Sequence, residues 1–332
     1  MTSSAYAPTA DRRPPTEEVD VSVLVPANDE AENLPLFMEQ ADAAFRSTPE
    51  ARFEVVVVDD GSEDDTWRVL RDLAERYPFI RIARHRSRRG IAEALRTGYL
   101  HSRGRVLVFY PADLQFKPED IPRLIAPILA DEADMVTGFK MGKYDKQFVS
   151  GIYNRLSRAL FNVRVRDLNS VKAYRREIMD VLPARPDWHR YMIAIAAAHG
   201  FTVTEVPVAL YPRHAGRSKF GLSRIPVGVL DMLSVWFELR FGQKPLLAFG
   251  MLGAAMVVLG VLAGIGALVL LAFTGFGQRP IWTVIQTCVI LGGIFFATGL
   301  LGEQIAGQRA EARELRRRLE ELHSSLSAAR ER

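Results

Sequence analysis

The sequence predicts an α/β fold, a mostly parallel sheet covered by helices on both faces, followed by a two-helix transmembrane hairpin. Two observations predict it. Continuous apolar runs rich in β-branched residues alternate with stretches of helical spacing from Val19 to Val208, the pattern of strands buried on both faces. Beyond them, no charged residue lies between Lys244 and Arg279, and a second uncharged stretch runs from Pro280 to Gly302.

The elements follow in order. Val19 to Pro26 (VDVSVLVP) reads as a strand, and Glu30 to Phe45 as a helix with apolar residues at Leu34, Phe37, Met38 and Ala41. Phe53 to Val58 (FEVVVV) is a second strand ending at Asp59-Asp60-Gly61-Ser62, and Asp64 to Tyr77 is helical. Ile80 to Arg84 is a short strand, Gly90 to Ser102 a helix, and Arg105 to Tyr110 (RVLVFY) another buried strand. Pro118 to Leu129 is a helix, Ala133 to Thr137 a strand, and Ser150 to Phe161 a helix. LNSVKAYRREIMDVLP, after Asp167, leads into a helix; Trp188 to His199 is helical and Thr202 to Val208 a strand. Ile225 to Phe241, with Leu230, Leu233, Trp236 and Phe237, suits a helix lying along a membrane surface.

Each uncharged stretch is long enough for the roughly 20 residues that cross a bilayer as a helix. A short connection around Gly275 to Pro280 makes them a hairpin with both ends on one side. Arg217, Lys219, Arg224, Arg240 and Lys244 precede it, Arg309, Arg313, Arg316, Arg317 and Arg318 follow it, and the turn carries only Arg279. The positive-inside rule then places the N-terminal part and the tail in the cytosol, as a multi-pass protein of the cytoplasmic membrane.

The expected organisation is a loose tail at 1–18, a catalytic domain at 19–224, a juxtamembrane helix at 225–244, the membrane helices at 245–304 and an amphipathic or coiled-coil tail at 305–332. Leu315, Leu319, Leu322 and Leu326 give that tail a spacing that also suits self-association into a homo-oligomer. The net charge of +4 is crowded beside the apolar stretches, so lipid headgroups and phosphate ligands are nearer partners than nucleic acid. The single cysteine, Cys288, lies within the second stretch and excludes an intramolecular disulfide.

Candidate chemistry sits where the strands end. In YPADLQ, Asp113 and Gln115 are two apart, so on an extended backbone both side chains leave the same side. A hard divalent cation holding a diphosphate takes such oxygen ligands and keeps positions for phosphate. VVDDGS places two carboxylates beside a glycine turn; ligand contact is one reason to keep them, and capping of the next helix is another. Arg213, Arg217 and Lys219 in RHAGRSKFG surround Gly216, and fixed cations there suit the phosphate of a membrane-held lipid or a polybasic headgroup anchor.

These segments resemble glycosyltransferase family 2, specifically its polyprenyl-phosphate glycosyltransferases, from Val21 to about Gln308. YPADLQ is similar to their DADLQ signature, with Pro111 in place of the first Asp, and Arg213, Gly216, Ser218 and Lys219 match their Arg-x-x-Gly-x-Ser-Lys pattern. VPANDEAENL matches at Pro26 and Glu30, with Asn28 in place of an aromatic residue, and TGLLGEQIAG resembles the end of the last span in the undecaprenyl-phosphate aminoarabinose and glucose transferases.

The resemblance implies a GT-A domain that moves one sugar from a nucleotide diphosphate sugar, such as UDP-glucose or GDP-mannose, to a polyprenyl phosphate, with inversion. It implies Mg²⁺ or Mn²⁺ at Asp113 and Gln115, with Asp113 the residue on which catalysis depends. Substrate contacts are implied at Pro26, Asn28, Glu30, Val58, Asp60, Ala112, Lys140, Arg213 and Lys219. Transfer to another membrane lipid, or a membrane scaffold without catalysis, are the alternative readings.

Overall fold

Runs of valine build the central strands because a β-branched side chain is stiff at χ1 and packs well on a pleated surface. In the computed structural model, which describes residues 19–141, 160–161, 163, 165–168, 170–183, 188–212, 225–242, 244–274 and 279–330, they form β1 (Val21–Ala27), β2 (Phe53–Asp59), β3 (Ile80–Arg84) and β4 (Val106–Phe109). Helices α1 (Leu34–Arg46), α2 (Thr66–Arg76) and α3 (Ile91–His101) connect them. A turn of 3₁₀ helix at Pro118–Asp120 then leads into α4 (Ile121–Leu129). After it come β5 (Met135–Met141), β6 (Lys172–Arg175), α5 (Ile178–Val181), α6 (Trp188–Ala198) and β7 (Val203–Ala209).

The seven strands form one sheet in the order β3-β2-β1-β4-β6-β5-β7. β1 pairs in parallel with both β2 and β4, and only β6 runs against its neighbours. α1 buries Leu34, Phe37, Met38, Ala41 and Ala44 on one face of the sheet. On the other face, Leu95 of α3 packs with Met192, Ile193 and Ala196 of α6 over Leu24, Val56 and Leu107. A Cβ added at Gly98 of α3 would meet the Leu24 side chain at 3.4 Å, so this helix lies close to the sheet.

From β1 the chain builds outward through β2 to β3, and α3 returns it to the other side of β1 as β4. The strand order therefore reverses between β1 and β4, and the crevice outside the carboxyl ends of these strands is the ligand position of such sheets. Ala27, Asp59 and Phe109, which end β1, β2 and β4, border it.

One expectation changes. The segment after Asp167 reaches its helix only through β6, whose residues KAYR pair with Phe109 to Val106 on one side and Thr137 to Met135 on the other. Four residues with a charge at each end are too short for a period to register. The tail and the second apolar stretch are one helix, since its Ala, Glu, Leu and Arg residues favour helix strongly.

The chain divides into two units, Met1–Val227 and Gly228–Arg332. The second contains most of α7 (Ile225–Phe241), together with α8 (Pro245–Thr274) and α9 (Arg279–Arg330). Pro245–Phe273 and Ile281–Ala312 are long and apolar enough to cross a membrane. α8 and α9 meet along glycines: a Cβ at Gly253 would lie 2.5 Å from the Gly292 carbonyl oxygen, and one at Gly292 would lie 2.8 Å from that of Gly253. Small residues allow such close approach between helices in lipid. Glu303 Oε2 accepts the Leu246 N–H at 3.2 Å, satisfying a donor in the first turn of α8. On α7, Leu230 and Leu233 are exposed.

Candidate active site

The loop after β1 is knitted onto the loop after β2. Asp60 N–H donates to the Ala27 carbonyl at 2.8 Å, and Asn28 Nδ2 donates to the Asp60 carbonyl at 3.3 Å. Asp29, left-handed at φ 58°, donates its N–H to Ser62 Oγ and accepts the Glu63 N–H, both at 3.0 Å. Glu30 N–H donates to Thr66 Oγ1 at 2.8 Å, and Glu30 Oε2 accepts Asn33 Nδ2 at 2.6 Å. Pro26 and Val58 are register partners across β1 and β2, and the buried Val58 side chain packs with Ala83 and Ala94.

The two adjacent aspartates after β2 have separate partners. Asp59, fully buried, accepts the Ser62 N–H at 2.9 Å and pairs with Arg84 Nε at 2.9 Å. Asp60 Oδ1 meets His85 Nδ1 at 2.7 Å and accepts the Arg89 N–H at 2.8 Å, while Oδ2 accepts the Gly90 N–H at 2.7 Å. His85 Nε2 reaches Thr97 Oγ1 at 2.9 Å. Gly61, at φ 68°, passes under this segment so closely that a Cβ would lie 2.5 Å from the Ser87 carbonyl carbon. The electrostatic cost of the pair is thus met within the chain, and spacing alone did not show His85 as the partner.

At the end of β4 the expected extended backbone is instead a turn. Asp113 Oδ1 accepts the Gln115 N–H at 3.2 Å, and Leu114 between them is left-handed at φ 57° with its side chain buried. The turn is possible because Leu114 packs inward with Ala112 and Phe116, and Tyr110 Oη donates to the Lys117 carbonyl at 2.6 Å. Burial, reinforced by Asp120 and Glu119, raises the Tyr110 phenol well above its ordinary range, so it stays a neutral donor. The Gln115 carbonyl accepts the Tyr211 N–H at 2.9 Å, and Lys117 Nζ lies 4.2 Å from the Tyr211 ring centre. Asp113 and Gln115 thereby stay together, beside the chain leaving β7. Arg213 and Lys219 lie outside the described residues.

Lys140, near the end of β5, is mostly buried and pairs with Asp167 Oδ2 at 3.1 Å. Next to them Lys172 is fully buried on β6, its Nζ donating to the Ser170 carbonyl at 2.8 Å and lying 5.8 Å from the Phe109 ring centre. Burial pulls its pKa down to about 8, against the attraction of Asp167. His189 is lowered to about 3 by burial, with Lys172 and Arg190 adding to the effect. Arg175 pairs with Asp131 and Asp134, and Arg176 donates to the Gly104 carbonyl, so both brace the fold.

Asp113 and Gln115 thus stand at the switch-point crevice of the first unit, and the second unit holds two helices long and apolar enough to cross a membrane. The comparisons define the class. Residues 22–179 match the model for glycosyl transferase family 2. The chain is similar to the dodecaprenyl-phosphate galacturonate synthase of Rhizobium johnstonii, 30% identical over 88% of this chain and 89% of that protein. It is also similar to the undecaprenyl-phosphate 4-deoxy-4-formamido-L-arabinose transferase of Pseudomonas savastanoi, 31% identical over 88% and 87%. The chain belongs to glycosyl transferase family 2 and is a glycosyltransferase. Its fold also resembles the crystal structure of glucosyl-3-phosphoglycerate synthase from Mycobacterium tuberculosis in complex with Mn²⁺, uridine diphosphate and phosphoglyceric acid. That match has a TM-score of 0.52 at 20% identity, covering 66% of this chain and 78% of that one.

Proposed function

We propose that this protein transfers one sugar from a nucleotide diphosphate sugar to a polyprenyl phosphate at the cytosolic face of a membrane. The observation that carries the reading is the hydrogen bond from Tyr211 N–H to the Gln115 carbonyl. It ties the turn suited to the diphosphate to the chain two residues before Arg213, where the RHAGRSK segment begins. The relatives' acceptors, a dodecaprenyl and an undecaprenyl phosphate, agree with an acceptor whose tail stays in the bilayer.

An acceptor phosphate oxygen attacks the anomeric carbon, the bond from that carbon to the diphosphate oxygen breaks, and the nucleoside diphosphate leaves with inversion. Because a phosphate monoester is anionic at neutral pH, no general base is needed, and the protein's tasks are alignment and charge neutralisation. Asp113 and Gln115 offer only hard oxygen ligands, and no cluster of three or more His, Cys, Asp or Glu exists among the described residues. That donor set fits a divalent ion completed by phosphate oxygens and water. Mg²⁺ or Mn²⁺ held by Asp113 and Gln115 would supply positive charge against the leaving diphosphate. The Gln115 N–H orients the Asp113 carboxylate, Asp60 and Pro26 face the nucleoside, and Arg213 and Lys219 orient the acceptor phosphate. Lys140, an ammonium with three N–H donors, can serve donor phosphates while paired with Asp167.

The test is transfer by the purified full chain in lipid nanodiscs, with Mn²⁺, undecaprenyl phosphate and a panel of UDP- and GDP-sugars. A glycosylated polyprenyl phosphate is expected from at least one donor. Glycosylation of diacylglycerol instead, or no transfer and no hydrolysis from any donor, overturns the reading.

A further inference from the structure

We propose that His85 is a positioning residue that fixes the Asp60 carboxylate and, by using up its acceptor capacity, sets which nucleobase the donor site takes. The inference rests on the reading above that Asp60 faces the donor nucleoside. His85 is buried, and its two ring nitrogens are both engaged, Nδ1 with Asp60 Oδ1 at 2.7 Å and Nε2 with Thr97 Oγ1 at 2.9 Å. A carboxylate is acceptor-only, so Nδ1 carries the hydrogen toward Asp60, and in the neutral ring Nε2 accepts from the Thr97 hydroxyl. Thr97 stands on α3, whose Ala94 and Gly98 lie against the sheet, so the imidazole is held from a rigid element.

Counting acceptors gives the consequence. A carboxylate has about four lone-pair sites. Three are in use, two on Oδ1 by His85 and the Arg89 N–H, and one on Oδ2 by the Gly90 N–H. Among the described residues, Oδ2 is thus the oxygen with one donor rather than two. One acceptor matches a base presenting one ring N–H, as uracil does at N3. Guanine presents a ring N–H and an exocyclic amine side by side and calls for both oxygens at once. Removing the His85 donor returns a lone pair to Oδ1 and makes the two-point contact available.

Substitutions separate the two nitrogens. An asparagine amide reaches about as far as Nδ1 and keeps the donor to Asp60, whereas a glutamine amide reaches about as far as Nε2 and keeps only the contact with Thr97. The experiment is titration calorimetry of UDP and GDP, with Mn²⁺ present, on the detergent-solubilised full chain and on H85N, H85Q, H85F and D60N. Donor KM and kcat are measured alongside. The wild type is expected to prefer UDP, and H85Q and H85F to lose about tenfold in UDP affinity, the worth of one hydrogen bond to a charged group. H85N should stay within about threefold of the wild type by the same scale, and H85F should narrow the UDP to GDP ratio. The loss should appear in donor KM and leave kcat at saturating donor nearly unchanged.

A role confined to stability would lower the melting temperature of H85N and H85Q alike without separating their nucleotide affinities, and would overturn the proposal. So would a wild-type preference for GDP. Unchanged UDP affinity in D60N overturns the nucleoside-contact reading itself, a result distinct from equal affinities in the His85 series when D60N is weakened.

Discussion

Lys140 and Asp167 form an ion pair of 3.1 Å at the end of β5, with both side chains largely withdrawn from water. Thr137 Oγ1 also donates to the Asp167 carbonyl, so the pair fastens the segment before β6 to the neighbouring strand. Breaking a withdrawn pair by removing one partner leaves the other charge poorly solvated. Lys140→Met and Asp167→Asn should each destabilise the catalytic unit, and the double variant should cost less than the sum. A coupling energy of about 1–3 kcal/mol is expected from a double-mutant cycle by denaturant unfolding. Additive losses would mean that the two charges are energetically independent.

Asp113→Asn keeps an oxygen able to accept the Gln115 N–H, so the turn at Leu114 should survive. It removes the negative charge from the proposed metal site. Transfer should fall by on the order of 10²-fold or more at saturating donor, with the melting temperature unchanged. Activity that persists at low Mn²⁺ would remove Asp113 from the metal.

Lys172 gives the catalytic unit a pH dependence whose sign follows from its burial. The unfolded lysine holds its proton up to about 10.5 and the folded one only to about 8. Between these values the unfolded chain binds more protons, so stability rises with pH, and the penalty present below pH 8 fades by about 10.5. The difference amounts to roughly 3 kcal/mol at most. Lys172→Met should be more stable than the wild type at pH 7, and its advantage should shrink as pH rises through this window. Parallel stability curves for the two proteins from pH 7 to 10.5 would contradict the assignment.

What could be read in advance was what depends on neighbours along the chain. The valine strands, the amphipathic face of α1 and the length of α8 follow from local composition and period. β6 did not, because Lys172 and Arg175 are charged and owe their place in the sheet to Phe109, Val106 and Thr137, far away in sequence. The same holds at the site. YPADLQ marked the end of β4, but the turn through Leu114 depends on inward packing with Phe116. Asp60 is legible as a ligand contact, while its bond to His85 joins residues 25 apart that meet because β3 runs beside β2.

Pro111 sharpens the metal question. It follows the buried Tyr110, and its ring supplies neither an N–H nor an oxygen-bearing side chain, where the resemblance places a carboxylate. With Asp113 as the single carboxylate of YPADLQ, cation affinity rests on few charges, and affinity for hard cations rises with the number of charged oxygen ligands. Pro111→Asp should therefore lower the Mn²⁺ concentration for half-maximal transfer several-fold, with kcat at saturating metal little changed. A matched Pro111→Asn variant, with the same shape and no charge, should shift it much less. If both variants titrate with Mn²⁺ like the wild type, position 111 does not face the ion.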